Sequence, residues 1–133
     1  KVVFTIDFRS HVLETLKAMV KELGERAPGI CEALGCTFES TIVGQFDPPA
    51  FDETLVGRVR DAAEKLGYSH RDIVSGAGHD ACWINRIAPT AMIMCPCVDG
   101  LSHNEAEDIS KEWAAAGTDV LFHAVVETAE IVA

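Results

Sequence analysis

The sequence predicts an α/β protein. Short apolar or alternating stretches of strand length recur along it. Between them lie longer segments with apolar residues at three-to-four spacing, as amphipathic helices require. The breaks fall at Gly, Pro and small polar residues, which stop helices and turn the chain. The order that results is β-α-β, a proline-rich linker, then α-β-α-β-α.

Val2 to Phe8 alternates, with Val2, Phe4, Ile6 and Phe8 on one side and Val3, Thr5 and Asp7 on the other. That is a half-buried strand of period two. Arg9 continues its polar face, and Ser10 is placed to cap a helix. Val12, Leu13, Leu16, Met19, Val20 and Leu23 form the apolar stripe of that helix. Pro28-Gly29 is expected to kink or interrupt it, with a continuation through Leu34 ending at Gly35. Cys36 to Val43, rich in Thr, Phe, Ile and Val, reads as a second strand.

Phe46-Asp47-Pro48-Pro49-Ala50 reads as a linker, because paired prolines exclude both helix and central strand. Asp52 caps the next helix, whose inner face is Leu55, Val56, Val59, Ala62, Ala63 and Leu66 and whose stop is Gly67. A short apolar run at Ile73-Val74 leads into a glycine turn. Asp80 to Ile87 then reads as a short helix closed by Pro89, and Thr90 to Cys95 as a buried strand. Ser110 caps a last helix to about Val132, with Trp113, Val120, Leu121, Ala124 and Val125 inward.

At 133 residues with 48% hydrophobic content, the chain can bury a core. It opens on Lys1 and enters a strand pattern at once, so it reads as a piece of something longer or as a processed chain. The formal charge of −10 lacks a basic cluster, which argues against nucleic acid as a partner. No apolar run approaches the roughly 20 residues of a bilayer span, and no signal peptide is visible. Cys31, Cys36, Cys82, Cys95 and Cys97 are odd in number and contain no CxxC pair. Most of them are expected to pack as small apolar residues in a reducing cytoplasm.

Chemistry concentrates between Ile73 and Glu107. Ser75-Gly76-Ala77-Gly78-His79-Asp80-Ala81 follows one apolar run and Gly100-Leu101-Ser102-His103-Asn104 follows another. The glycines of the first turn permit positive φ and close approach of a ligand to the backbone. His79 there either belongs to a plain strand-to-helix turn capped by Asp80, or serves as oxyanion donor or acid–base group. His103 either sits in an exposed polar loop or ligates a metal, with Glu107, four residues on, orienting its imidazole. Arg9 either pairs with Asp7 or clamps a substrate carboxylate. Cys95 or Cys97 with His103 is a weaker pairing of nucleophile and base, since no orienting acid accompanies it. His11, His70 and His123 show no partner pattern and read as surface or packing residues.

Thr5-Ile6-Asp7-Phe8-Arg9, the GAGHDA segment from Gly76 to Ala81, and Gly100 to Asn104 followed by Glu107 together resemble a known family. It is the zinc-dependent hydantoinase/carbamoylase amidases, which include N-carbamoyl-L-amino-acid hydrolase, β-ureidopropionase and allantoate amidohydrolase and are relatives of aminoacylase-type metallopeptidases. The resemblance covers essentially the whole chain. It implies a two-domain, dimeric, cytoplasmic enzyme with a dinuclear site for a divalent metal: zinc, or else manganese, nickel or cobalt. Residues 1–46 would be the second half of the lid (dimerisation) domain, and residues 47–133 the C-terminal part of a metallopeptidase-like catalytic domain.

By the same resemblance, Arg9 matches the arginine that binds the substrate carboxylate. His79, with Gly78, matches the group that contacts substrate and stabilises the tetrahedral intermediate, and His103 matches a metal ligand. Glu105 departs from the family, which often has proline there. The family's HxD motif, Glu-Glu pair and His-Ile-Glu-Gln-Gly segment are absent from these residues, as are its general-base glutamate and lid histidine. Two expectations follow. The chain is part of a metal-dependent amidohydrolase that cleaves the linear C–N bond of an N-carbamoyl amino acid or similar ureido acid with metal-activated water. Alternatively, it is a catalytically inactive folded fragment that acts as a dimerising or binding module.

Overall fold

The structure is a computed structural model that describes residues 1–129. It divides into two compact units. The first comprises Lys1–Pro49 and Val74–Ala77, the second Ala50–Ile73 and Gly78–Ala133.

The first unit contains one helix, α1 (Leu13–Ala33). It begins later than the sequence implies. Ser10 Oγ accepts the Val12 N–H at 3.1 Å, forming a tight turn ahead of the helix, and Val12 takes the N-cap position in an extended conformation. Pro28 lies inside α1 and does not interrupt it. The ring removes one amide donor, and the carbonyl four residues back that loses its partner belongs to Gly24. The end is as expected. Gly35, at φ +70°, donates to Glu32 O at 3.0 Å, and Cys36 N donates to Cys31 O at 2.8 Å. These two bonds form a Schellman motif, which satisfies the last carbonyls and needs a residue without a Cβ in the left-handed position.

The second unit is built on α2 (Glu53–Lys65) and α4 (Lys111–Ala129), which pack against each other, with the short α3 (Asp80–Ile84) beside them in sequence. Asp52 Oδ1 accepts the Leu55 N–H at 2.9 Å and caps α2. Gly67, at φ +75°, and Tyr68 close its C-terminus by the same pair of bonds as in α1, to Glu64 O and Ala63 O. Ser110 Oγ accepts the Trp113 N–H at 3.2 Å at the start of α4. The contact between α2 and α4 is made by Ala62, Ala63, Val120 and Ala124, flanked by Val59, Leu66, Tyr68 and Ile93. At its margin Lys65 Nζ meets Glu127 Oε1 at 2.6 Å, and the Tyr68 hydroxyl donates to Asp119 at 3.0 Å. Gly117 faces Cys95, and a Cβ added there would collide with the Cys95 sulfur.

Several expectations are corrected. The strands anticipated at Val2 to Phe8, Cys36 to Val43, Ile73-Val74 and Thr90 to Cys95 are not formed among the described residues. A strand exists only when a neighbour completes its hydrogen-bond ladder, and here no ladder is present. Many of the side chains of the first two segments stay in solvent, with Val2 85%, Phe4 71% and Val43 86% exposed, whereas Thr90 to Cys95 is mostly half-buried. The α/β class expected from the alternating pattern is therefore realised in its helices alone. The helix starting at Asp80 ends at Ile84 rather than Ile87. A 3₁₀ turn forms at Val98–Gly100.

In α4, Val120 and Ala124 are buried as expected. Trp113, Leu121 and Val125, also expected inward, are 42%, 53% and 51% exposed. That helix is apolar on several sides, so its sequence does not single out one buried face. Its expected end near Val132 lies outside the described residues. All five cysteines are free. Cys82 is buried, Cys31, Cys95 and Cys97 are half-buried, and Cys36 is exposed.

Candidate active-site residues

Arg9 follows the apolar start of the first unit, and its guanidinium is held from two sides. Nε and Nη2 both donate to Asp7 Oδ2, at 2.8 and 2.7 Å, and Nη1 donates to Gly76 O at 3.0 Å. The expected pairing with Asp7 is present. The bond to Gly76 was not signalled by the sequence, because 67 residues separate the partners. Asp7 raises the Arg9 pKa, first by hydrogen bonding and then by charge, so the cation is fixed at every accessible pH. A guanidinium has five N–H donors, and three are used here, leaving two for a carboxylate.

The turn before His79 differs from expectation. Among the glycines, positive φ is found at Gly35, Gly67 and Gly100, so neither Gly76 nor Gly78 uses the left-handed region. Both leave open space where a Cβ would stand. Ser75 Oγ accepts the Ala77 N–H at 3.2 Å and shapes the turn. His79 is half-buried, adopts φ −131° and ψ 155°, and is the N-cap of α3 by position only, without a capping side-chain bond. Its carbonyl accepts the Cys82 N–H at 2.9 Å. Asp80 is therefore the first residue of α3 and not its cap.

His103 lies in a loop closed at its base, where Val98 N donates to Asp108 O at 2.8 Å. The chain between makes two sharp reversals. The first passes through Asp99 (φ 54°) and Gly100 (φ 67°), and the second through His103 itself (φ 55°). Asn104 anchors the second, since Oδ1 accepts Ala106 N and the carbonyl accepts Glu107 N, both at 2.9 Å. Glu107 turns back into the loop. Oε2 accepts the His103 backbone N–H at 2.7 Å, and Oε1 lies 3.9 Å from the Cys97 sulfur, a weak S–H donor. The expected relation, with both side chains on one helical face, is replaced by a bond from carboxylate to backbone.

His103 is exposed and chemically suited to a divalent metal, but a protein zinc site needs three or four ligands. No group of three His, Cys, Asp or Glu side chains that could hold a metal is found among the described residues. The donors present therefore do not make a metal site by themselves. An apolar groove of about 590 Å³ in the second unit, lined by Val59, Ile93, Cys95, Gly117 and Leu121 among others, includes none of Arg9, Gly78, His79 or His103. Of the remaining histidines, His70 lies 3.5 Å from Glu64, and His123 packs edge-on against Phe122. No helix among the described residues is long and apolar enough to cross a membrane.

The sequence matches the model of peptidase family M20/M25/M40 over residues 5–127, and the chain belongs to that family. Within it, the chain is 66% identical over 132 residues to an N-carbamoyl-L-amino-acid amidohydrolase of Rhizobium meliloti, covering 99% of this chain and 32% of that protein. It is 30% identical over 121 residues to the allantoate amidohydrolase of Escherichia coli K12, covering 91% of this chain and 29% of that protein. A crystal structure of a hydantoinase/carbamoylase family amidase from Burkholderia multivorans superposes with a TM-score of 0.86 at 44% identity, over 92% of this chain and 30% of that one. The chain thus spans about a third of the length of the relatives it matches.

Proposed function

We propose that this chain is part of an amidohydrolase that cleaves the linear C–N bond of an N-carbamoyl amino acid or a similar ureido acid. The observation that carries the proposal is the 66% identity over nearly the whole chain to the Rhizobium meliloti enzyme. Allantoate, the substrate in the name of the Escherichia coli relative, belongs to the same ureido class. Residues 1–46 are assigned to a lid and dimerisation domain and residues 47–133 to the catalytic domain of a homodimer. In the longer protein the alternating segments at Val2 to Phe8, Cys36 to Val43 and Thr90 to Cys95 pair as strands, which would cover the apolar side chains now in solvent.

Arg9 binds the substrate carboxylate with the two donors left over from Asp7 and Gly76. His79 donates to the oxygen that becomes negative as the carbamoyl carbon turns tetrahedral, and Gly78 supplies backbone contact. His103 is one ligand of a divalent metal, zinc in the first instance. The remaining ligands lie outside these residues. A zinc-bound water is the nucleophile such a metal supplies.

In the protein at the length of its relatives, His79→Ala should lower kcat for N-carbamoyl amino acids by about 100-fold or more, the usual effect of losing an oxyanion donor. Arg9→Ala should instead act mainly on KM. An unchanged kcat in the His79 variant would remove its assigned role. A second reading is favoured by the lack of a three-ligand group among the described residues. Alone, the 133 residues form a folded but inactive module, and stoichiometric zinc together with activity in the purified chain would overturn that reading.

A further inference from the structure

We propose that Glu107 is a positioning residue. Through Oε2 it holds residue 103 in the left-handed conformation and so fixes the direction in which the His103 imidazole leaves the backbone. The inference rests on the proposed role of His103 as a ligand and extends it to a residue that does not itself reach the metal.

The left-handed region is open to few residues besides glycine. Histidine enters it more often than most, alongside Asn and Asp, yet still needs local support. That support is visible. At φ 55° the His103 N–H points into the loop, where a carboxylate oxygen receives it at 2.7 Å. A bond to an ionised acceptor is shorter and stronger than one between neutral groups. Returning residue 103 to negative φ would break this bond and swing its Cα–Cβ vector away. The imidazole would then leave in another direction. The carboxylate is aimed from its own side as well, because Glu107 N is bonded to Asn104 O at 2.9 Å. Its second oxygen faces the Cys97 sulfur at the opposite end of the loop. The base of the loop is tied by Val98 N to Asp108 O, so a change of conformation at residue 103 stays within the loop.

The test is an amide spectrum of the ¹⁵N-labelled full chain. The His103 N–H should resonate downfield, as expected for a short bond to a carboxylate. In Glu107→Ala that resonance should move upfield while the amides of α2 and α4 stay in place. Glu107→Gln keeps a carbonyl oxygen at the same reach and should restore the signal part of the way. It also serves if the alanine variant proves unstable. A His103 resonance that is the same in all three proteins would overturn the proposal. A second measurement separates this inference from the ligand reading on which it rests. With zinc alone as the probe, Glu107→Ala in the protein at the length of its relatives should weaken zinc binding by about 10–100-fold, the range for lost outer partners of a ligand. If the amide shifts in Glu107→Ala and zinc affinity does not, while His103→Ala does weaken zinc binding, the positioning role of Glu107 is overturned; if His103→Ala also leaves zinc affinity unchanged, the ligand role of His103 falls instead.

Discussion

Gly117 in α4 stands against the sulfur of Cys95, and a Cβ at that position has no space. Two effects therefore oppose each other in Gly117→Ala. Replacing an interior helical glycine by alanine favours the helix by about 0.8–1.0 kcal/mol. Forcing an extra carbon into a filled contact costs about 1–3 kcal/mol. The sulfur is one bond from its own Cβ and escapes by a χ1 rotation, so the lower part of that range applies. The single variant should lose about 0–1 kcal/mol, the difference between these terms. In a Cys95→Ala background the obstacle is gone, and the same substitution should now stabilise by up to about 1 kcal/mol. Urea unfolding followed by circular dichroism on the four proteins of the cycle measures both steps. With a slope of about 1–3 kcal/mol per molar urea, such differences move the midpoint by a few tenths of a molar or more. A coupling below about 0.5 kcal/mol between the two positions, the level of independent sites, would refute the contact.

Two further outcomes follow from the same unit. Asp52→Ala removes the acceptor for the Leu55 N–H and should cost about 1 kcal/mol, seen as a lower Tm, whereas Asp52→Asn should largely retain the cap; equal Tm values for wild type and Asp52→Ala would dismiss the cap. Glu127 has its pKa lowered below the ordinary 4.5, first by its hydrogen bond to Lys65, so its contribution is complete above that value and fades as pH falls through the lowered folded pKa. Thermal melts of wild type and Glu127→Gln should therefore converge as the medium is acidified from pH 4.5 downward, and a gap independent of pH would contradict the ion pair.

Local chemistry was the legible part of this sequence. Asp52, Gly67, Gly35 and Ser110 are read correctly because a cap or a left-handed stop is decided within a few residues. Pro28 misleads because helix continuity depends on the rest of the helix as well as on the one lost bond. Strands are the opposite case from caps. Alternation at Val2 to Phe8 records a surface suited to burial on one side, but pairing is a property of two segments. The stripe of α4 was over-read for a related reason, since Leu121 and Val125 are no less apolar than Val120, and only the position of α2 selects among them.

At the candidate site, Arg9 with Asp7 was visible at a spacing of two. The Gly76 carbonyl that completes its cradle was beyond any local pattern. Glu107 was singled out for the right neighbour but the wrong atom. Its partner is the His103 backbone amide, because the segment folds into a closed loop and not a helix. The resemblance to a family is what singles out Arg9, Gly78, His79 and His103, which composition and period do not distinguish from other residues.

The alanines between α2 and α4 have a consequence for register. Ala62, Ala63 and Ala124 put small side chains at the centre of the contact, and small side chains by themselves fix no register. Small size allows close approach but does not choose an alignment. The choice falls to groups at the margin, where the Lys65–Glu127 and Tyr68–Asp119 bonds form in one alignment only. Exposed bonds of this kind add little to the strength of the contact. What they add is discrimination, rejecting neighbouring alignments that the alanines by themselves do not exclude.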